Sequence, residues 1–333
     1  MPGRSAGQPG RMLIPPRTLH VPTRTRDALA AGWTHDRLHR AVADGDLRRV
    51  LRGVYVDASA HDSLDLRAAA AALVLPARMV VCDRSAAWLE GVDHWDPRDL
   101  DVPPLLDVVA RSGTRTRLDG VRGALRALSE DDVVILAHGV VATSPLRTAA
   151  DLACQRGRLA AAAVLDQFAR EHGVTTSDLR ALLPRFAGRR GVTQLRELVN
   201  DLCPEAESPP ESWVRRLVLD HQLPRPTPQH EVVVEGETYR LDLAYPHLRI
   251  AVEYDGEQWH DDLDQQAADR RRRAALARSG WEVIVVRKED LSGGRLDIWV
   301  RRLRASIEVR RRCPVPTYAR GLDAGMHLRR RHR

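Results

Sequence analysis

Lysine is all but missing from this chain of 333 residues: Lys288 is the single one among 52 Lys and Arg. The bias reads as genomic base composition, and it leaves arginine as the working cation. Long apolar runs are missing too, since no stretch approaches the ~20 residues needed to span a bilayer, so no membrane partner is expected. The first residues, MPGRSAGQPGR, lack the apolar stretch of a signal peptide and read as the start of a short disordered leader, 1–17. The four cysteines (Cys82, Cys154, Cys203, Cys313) are scattered without a CxxC pair. That excludes a zinc ribbon and a disulfide framework, and a reducing cytoplasm is the expected location. No internal repeat stands at solenoid periods.

What is present is charge, unevenly placed. The net is +7, but residues 1–60 hold ten Arg against five Asp, and residues 298–333 hold eleven Arg against Glu308 and Asp323. The middle is therefore acidic. Basic ends around an acidic middle fit a polyanion partner, most simply DNA. The Arg-rich end, 310–333, also reads as a solvated, disordered tail.

Residues 18–60 follow the order helix, tight turn, helix, basic hairpin. A helical pattern runs from Thr23 to Ala31 and stops at Gly32. Thr34 is placed to N-cap a second helix through Ala43, with Leu38, Ala41 and Val42 on one face and Gly45 ending it. GDLRRVLRGVYV then reads as a hairpin around Gly53. This is the order of a winged helix-turn-helix, with Arg37, His39 and Arg40 facing a groove and Arg48, Arg49 and Arg52 on the wing near phosphate. A small helical domain with an ordinary solvated face would read the same way. Proteins with a single helix-turn-helix often bind DNA as homodimers, so a second copy of the chain is a further expected partner.

Residues 61–200 read as a mixed α/β region. Helices are expected over Leu64–Leu75, Ser85–Glu90, Pro145–Ala153, Leu159–Glu171, Thr176–Leu183 and Val192–Leu202. Strands are expected at Val80–Val81, Leu105–Ala110, Val133–Ala137 and Val140–Ala142. Arg147, Asp151 and Trp88 read as packing and ion-pair residues. A polar, proline-bearing stretch, 201–208, looks like a linker. Residues 209–309 alternate helix and strand, which predicts an α/β unit with a mixed central sheet. The chain as a whole is thus a multi-domain α/β protein.

The most chemical segment is LDLAYPHLRIAVEYDGEQWH, 241–260. Apolar runs Tyr239–Tyr245 and Arg249–Tyr254 flank a turn at Pro246–Leu248, a hairpin pattern. Counting outward from the turn sets Asp242 opposite Glu253, and directly opposed residues share a face. Asp255, two residues on, shares it as well. Crowded carboxylates on an apolar hairpin call for a compensating cation. Mg²⁺ (or Mn²⁺) is the natural candidate, and a metal held by carboxylates usually serves phosphate chemistry. Glu211 sits at the edge of the stripe Val214, Leu217, Val218, placed to join them. It also completes a Ser208-x-x-Glu211 capping box, and the two roles are not exclusive. Asp242 could instead face solvent with Arg240. His260 is placed to move a proton near a metal-bound water.

These residues resemble a known group. Ser208-Pro-Pro-Glu211, Leu241-Asp242-Leu-Ala, Val252-Glu253-Tyr-Asp255-Gly256, Trp259-His260, Asp269-Arg270 with Arg273, and Gly280-Trp281-Glu-Val together resemble the PD-(D/E)xK restriction-endonuclease-like superfamily, in its branch related to very-short-patch repair endonucleases. The resemblance implies a restriction-endonuclease-like fold and Mg²⁺-dependent DNA cleavage. It implies Asp242, Glu253 and Glu211 as metal ligands and His260 as the catalytic histidine. Asp269 and Arg273, at i and i+4, read as an ion pair. The superfamily lysine falls at Asp255, so that lysine is absent here. Lys288, after a later strand, is a candidate replacement, and Asp255 an accessory acid.

Ala31-Gly-Trp-Thr, Gly45-Asp-Leu-Arg-Arg, Arg52-Gly-Val-Tyr, Asp83-Arg-Ser-Ala-Ala-Trp-Leu and Thr143-Ser-Pro-Leu-Arg-Thr-Ala-Ala-Asp-Leu resemble actinobacterial proteins with an AbiEi-type antitoxin N-terminal region. That resemblance implies DNA binding and autoregulation. Two readings follow: a metal-dependent endonuclease delivered to DNA by a winged helix, in repair or phage defence, or an antitoxin-type DNA-binding regulator with an inactive nuclease fold.

Overall fold

The computed structural model describes residues 18–92, 105–110, 121–256 and 263–313. It is a mixed α/β protein with three sheets, and it divides into two compact units, 1–151 and 152–333. The segment expected as a middle region, 61–200, contributes to both.

The first unit opens with β1 (Thr23–Arg24), α1 (Thr25–Ala30), α2 (His35–Ala43), β2 (Leu47–Leu51) and β3 (Val54–Asp57). The strands form an antiparallel sheet in the order β1-β3-β2. Thr34 caps α2 as expected, its hydroxyl accepting the Arg37 amide at 3.1 Å. Thr23 and Arg24 pair with Tyr55 and Val54, so the first helix starts two residues later than its pattern suggests. The β2–β3 hairpin turns at Gly53, whose φ of +77° suits glycine. Ala28, Trp33, Leu38, Ala41, Leu47 and Tyr55 close a small core beneath the two helices.

The unit continues through α3 (Leu64–Val74), β4 (Met79–Val81), α4 (Asp83–Leu89), β5 (Leu106–Ala110), β6 (Val121–Leu125), β7 (Val133–Ile135), β8 (Val141–Thr143) and the start of α5 (Pro145–Gln155), whose residues from Leu152 on belong to the second unit. The second sheet has the order β6-β5-β4-β8-β7, with β5–β6 and β4–β8 parallel. β6 escapes the sequence pattern because Val-Arg-Gly-Ala-Leu carries a glycine and little β-branching. The small side chains of α3 let it lie close to both sheets: Ala68, Ala70 and Ala71 share one core with Val54 and Val56 of the wing and with Val81, Val108 and Ala142. The expected ion pair forms, with Arg147 donating to Asp151 at 2.8 Å and to Asp132 at 2.8 Å, all three buried.

The second unit holds α6 (Arg158–His172), α7 (Thr176–Leu182), α8 (Val192–Leu198), α9 (Pro209–Asp220), β9 (Thr227–Val234), β10 (Glu237–Tyr245), β11 (Ile250–Tyr254), α10 (Leu263–Arg278), β12 (Glu282–Val286) and α11 (Gly293–Arg312). Its sheet runs β12-β11-β10-β9 and is mixed as expected, antiparallel except for the β11–β12 pair. The α6 and α9 helices pack together around a buried pair, Arg215 on Asp166 at 2.9 Å, while Arg158 grips Asp220 at 2.7 Å. Asp201, at the start of the expected linker, receives Arg216 at 2.7 Å and also Arg225. The last helix runs past Val309 to Arg312. Arg310 donates to the carbonyls of Leu248, Arg249 and Gly280, each at 2.8 Å, so the first residue of the expected basic tail is a fixed structural group.

Candidate functional site

The register of β10 and β11 pairs Leu243 with Val252, Ala244 with Ala251 and Tyr245 with Ile250. One more step sets Asp242 across from Glu253. Leu243, Tyr245, Ile250 and Val252 point into a core with Val214 and Val218 of α9 and Trp299, Leu303 and Ile307 of α11. Ala244 and Ala251, on the other face, pack with Ala275 and Leu276 of α10. Strand alternation gives Asp242 the parity of Ala244, and Glu253 that of Ala251. The two acids therefore share the α10 face, as the count from the turn predicts.

Glu253 is buried at 7% exposure, and it is not a free ligand. Arg272 of α10 donates to Oε1 at 2.5 Å and to Oε2 at 2.9 Å, and reaches the Arg240 carbonyl at 3.1 Å. Its guanidinium also lies over the Tyr239 ring. The reason is phase: Arg272 is three and four residues before Ala275 and Leu276, so it shares the face of α10 turned to the sheet. That spacing is visible in the sequence, but a run of four arginines, Arg270 to Arg273, hides which one is inward.

Asp242 has a smaller share of compensation. Its Oδ2 accepts the Tyr254 amide at 3.0 Å. Burial pushes its pKa up from 3.8 to about 6, and the charges of Glu211 and Glu253 push the same way against Tyr254 and Arg272. All three acids named from sequence thus lie within electrostatic reach of one another. Only half of the capping box forms at Glu211: its amide donates to the Ser208 hydroxyl at 3.4 Å, while its carboxylate accepts the Ser208 hydroxyl at 2.8 Å on Oε1 and Gln229 and the Glu207 amide at 2.6 and 3.0 Å on Oε2. Gln229 carries no sequence signal, since only the fold brings its strand beside the start of α9.

Asp255 stands beyond the end of β11. Its Oδ2 lies 3.4 Å from Arg273 and 3.5 Å from Arg287. The expected Asp269–Arg273 pair is therefore replaced: Arg273 turns toward the sheet instead of along its helix. Lys288 is exposed, on a short turn after β12. His260 lies outside the described residues.

The donor chemistry fits a hard divalent cation, with all-oxygen ligands and more carboxylate charge than Arg272 neutralises. Among the described residues no group of three His, Cys, Asp or Glu stands in a metal-ligating arrangement, and both Glu253 oxygens are held by Arg272.

The helix-and-hairpin surface at the start of the first unit carries the other candidates. His39 of α2 and Arg49 of β2 meet at 3.3 Å, which joins helix and wing into one basic face. Arg37 stacks on Trp33 at 4.1 Å, while Arg40 and Arg52 are exposed. Arg48 turns to the Ala60 carbonyl at 3.2 Å and to Asp62 at 3.8 Å. No helix among the described residues is long and apolar enough to cross a membrane.

Residues 79–201 match the AbiEi antitoxin C-terminal domain family. The match takes in the Asp83 and Thr143 motifs and is to the C-terminal domain of these antitoxins, whereas the sequence motifs point to an N-terminal region; it does not reach the residues before 79. Uncharacterized proteins from two strains of Mycobacterium tuberculosis are each 30% identical to this chain over 266 residues, covering 78% of it and 92% of their own length. Among solved structures, the catalytic domain of a homing endonuclease is similar at 20% identity, with a TM-score of 0.24, over 30% of this chain and 94% of that one.

Proposed function

Since the chain belongs to the family of these Mycobacterium tuberculosis proteins and carries an AbiEi antitoxin-family domain, we propose that it is a DNA-binding protein whose C-terminal unit hydrolyses phosphodiester bonds with a divalent ion, Mg²⁺ or Mn²⁺. The observation that carries this reading is the convergence of Asp242, Glu253 and Glu211: burial, with the charges of Glu211 and Glu253 added to it, raises the Asp242 pKa to about 6. Bound there, the ion supplies neutralising charge at the scissile phosphate and a more acidic water. Asp242 offers the carboxylate oxygen that Tyr254 leaves open. Glu211 contributes from the first turn of α9, held in place by Ser208 and Gln229. Glu253 joins once Arg272 releases it, and Arg272 then remains as a cation beside the cluster. His260 is proposed for proton transfer. The basic face of Arg37, His39, Arg40, Arg49 and Arg52 holds the duplex through its phosphates.

One observation favours a second reading. A buried carboxylate with both oxygens on an arginine is already neutral in sum, as in a nuclease fold retired to binding. A DNA-binding regulator of antitoxin type would keep the winged face and need no ion. Nicking of supercoiled plasmid with Mg²⁺ or Mn²⁺, wild type against Asp242→Ala, separates the two. Metal-dependent nicking lost in the variant is the expected result. Equal, metal-indifferent DNA retention by both proteins with no nicking leaves the regulator.

A further inference from the structure

The β11 and β12 strands are the parallel pair of the C-terminal sheet, and they end together. Tyr254 pairs with Val286, and the Asp255 amide still donates to the Val286 carbonyl at 2.9 Å. In open α/β sheets, ligands gather outside the carboxyl ends of parallel strands. Two guanidinium groups converge there from separate elements, Arg287 from the end of β12 and Arg273 from α10. Both face the same oxygen, Oδ2 of Asp255, at 3.5 and 3.4 Å. Charge-assisted pairs normally close to about 2.7–2.9 Å and use the fork of the guanidinium. Neither arginine does so here. Among the described residues, the Arg273 Nε is buried with no hydrogen-bond partner. The Arg287 side chain is half exposed, and Lys288 follows it at the surface. Among the described residues, cationic donors thus exceed the one carboxylate that holds them.

We propose that Arg273 and Arg287 form a seat for a phosphodiester group of bound nucleic acid, with Asp255 as the internal acceptor that a phosphate displaces. The proposal deepens the nucleic-acid reading above and rests on it. A phosphodiester presents two anionic oxygens, enough to engage both forks and to give the buried Arg273 Nε an acceptor. Glu253 lies two residues upstream on the same strand, so a phosphate held at this seat brings the neighbouring backbone beside the carboxylate cluster. Asp255 is then a gatekeeper of the seat and no metal ligand.

The test is equilibrium binding of a fluorescein-labelled duplex to the full chain, read by anisotropy across a salt series in EDTA, so that no cleavage occurs. The double variant R273Q/R287Q is expected to bind about 5- to 20-fold more weakly, with the slope of log K on log salt shallower by about 1 to 2. D255N, which frees both arginines, is expected to tighten binding by about 2- to 5-fold. A double variant within about twofold of wild type and with an unchanged slope, or weaker binding by D255N, overturns the proposal. If the double variant melts early, R287Q alone is read by the same criteria. A chain that nicks DNA yet is indifferent to these substitutions overturns the seat alone. A chain that neither binds nor nicks overturns the reading beneath it.

Discussion

Arg272 holds Glu253 in a two-pronged ion pair, at 2.5 and 2.9 Å, between the inward face of α10 and the second strand of the carboxylate hairpin. The contact decides how the acid cluster is balanced. Among the described residues, three carboxylates within reach of one another share one close cation, and burial together with the charges of Glu211 and Glu253 raises the Asp242 pKa to about 6. Any divalent ion that enters this cluster competes with a guanidinium for Glu253.

Arg272→Met removes the cation and leaves Glu253 buried and unpaired. Breaking a buried pair on one side typically costs about 3–5 kcal/mol, and the partial exposure of Arg272 lowers the expected loss below that range, to about 2–3 kcal/mol. Urea unfolding in EDTA measures the loss. Adding Mn²⁺ is expected to raise the variant's midpoint more than that of wild type, since the vacated carboxylate binds the ion only in the native state. A variant as stable as wild type in EDTA contradicts the buried pair, and one that Mn²⁺ leaves unmoved contradicts the metal reading.

The raised pKa of Asp242 has a definite sign in stability. Folding favours the protonated acid, so its contribution is complete below pH 3.8 and is lost as pH rises through about 6. Asp242→Asn keeps a neutral group throughout. In EDTA, the variant is expected to exceed wild type by on the order of 1–2 kcal/mol at about pH 8, with the gap closing toward pH 4. Denaturant midpoints taken across that range check it; a constant gap is the contrary result.

Gly191, at the start of α8, has φ +82°, and an added Cβ would meet the Cys154 carbonyl oxygen at 2.0 Å. That atom is backbone and cannot swing aside. Gly191→Ala is expected to cost about 3 kcal/mol or more, through left-handed strain and displacement of the α5 end. Thermal melting registers it directly, and a shift of less than a few degrees would argue against this close approach.

On the winged face, Arg40 and Arg52 project outward while Arg48 is tied to Ala60 and Asp62. R40Q/R52Q is expected to weaken duplex binding alike for all sequences and to flatten the salt slope by up to about 1.8. R48Q is expected to leave affinity and slope as they are and to lower stability slightly. Equal losses of affinity from both changes would return Arg48 to the DNA-facing set.

The carboxylate hairpin was legible because its cause is local. Pro246 to Leu248 makes the turn, side chains alternate with period two, and Asp242 and Glu253 have no choice of face once the register is set. The caps at Thr34 and Ser208 follow from the same short-range chemistry. β6 was not legible, since its residues have weak strand preference and take up the ladder from Leu106 to Ala110. Nor was the grouping of α6 with α9, which depends on the buried Arg215–Asp166 contact across a separation of 49 residues.

The amino-acid sequence alone determined the alternation of helix and strand, the basic ends, and the meeting of two acids on one strand pair. Each of these depends on residues a few positions apart. Only the tertiary structure decided what neutralises those acids. Arg270 to Arg273 are chemically alike, and their partners depend on the phase at which α10 lies against the sheet: Arg272 falls on Glu253, Arg273 on Asp255. The same holds for Arg310, which spacing would leave in a solvated tail and which the end of α11 delivers to three backbone carbonyls. A long cationic side chain finds its partner through space, and the distance along the chain carries no record of it.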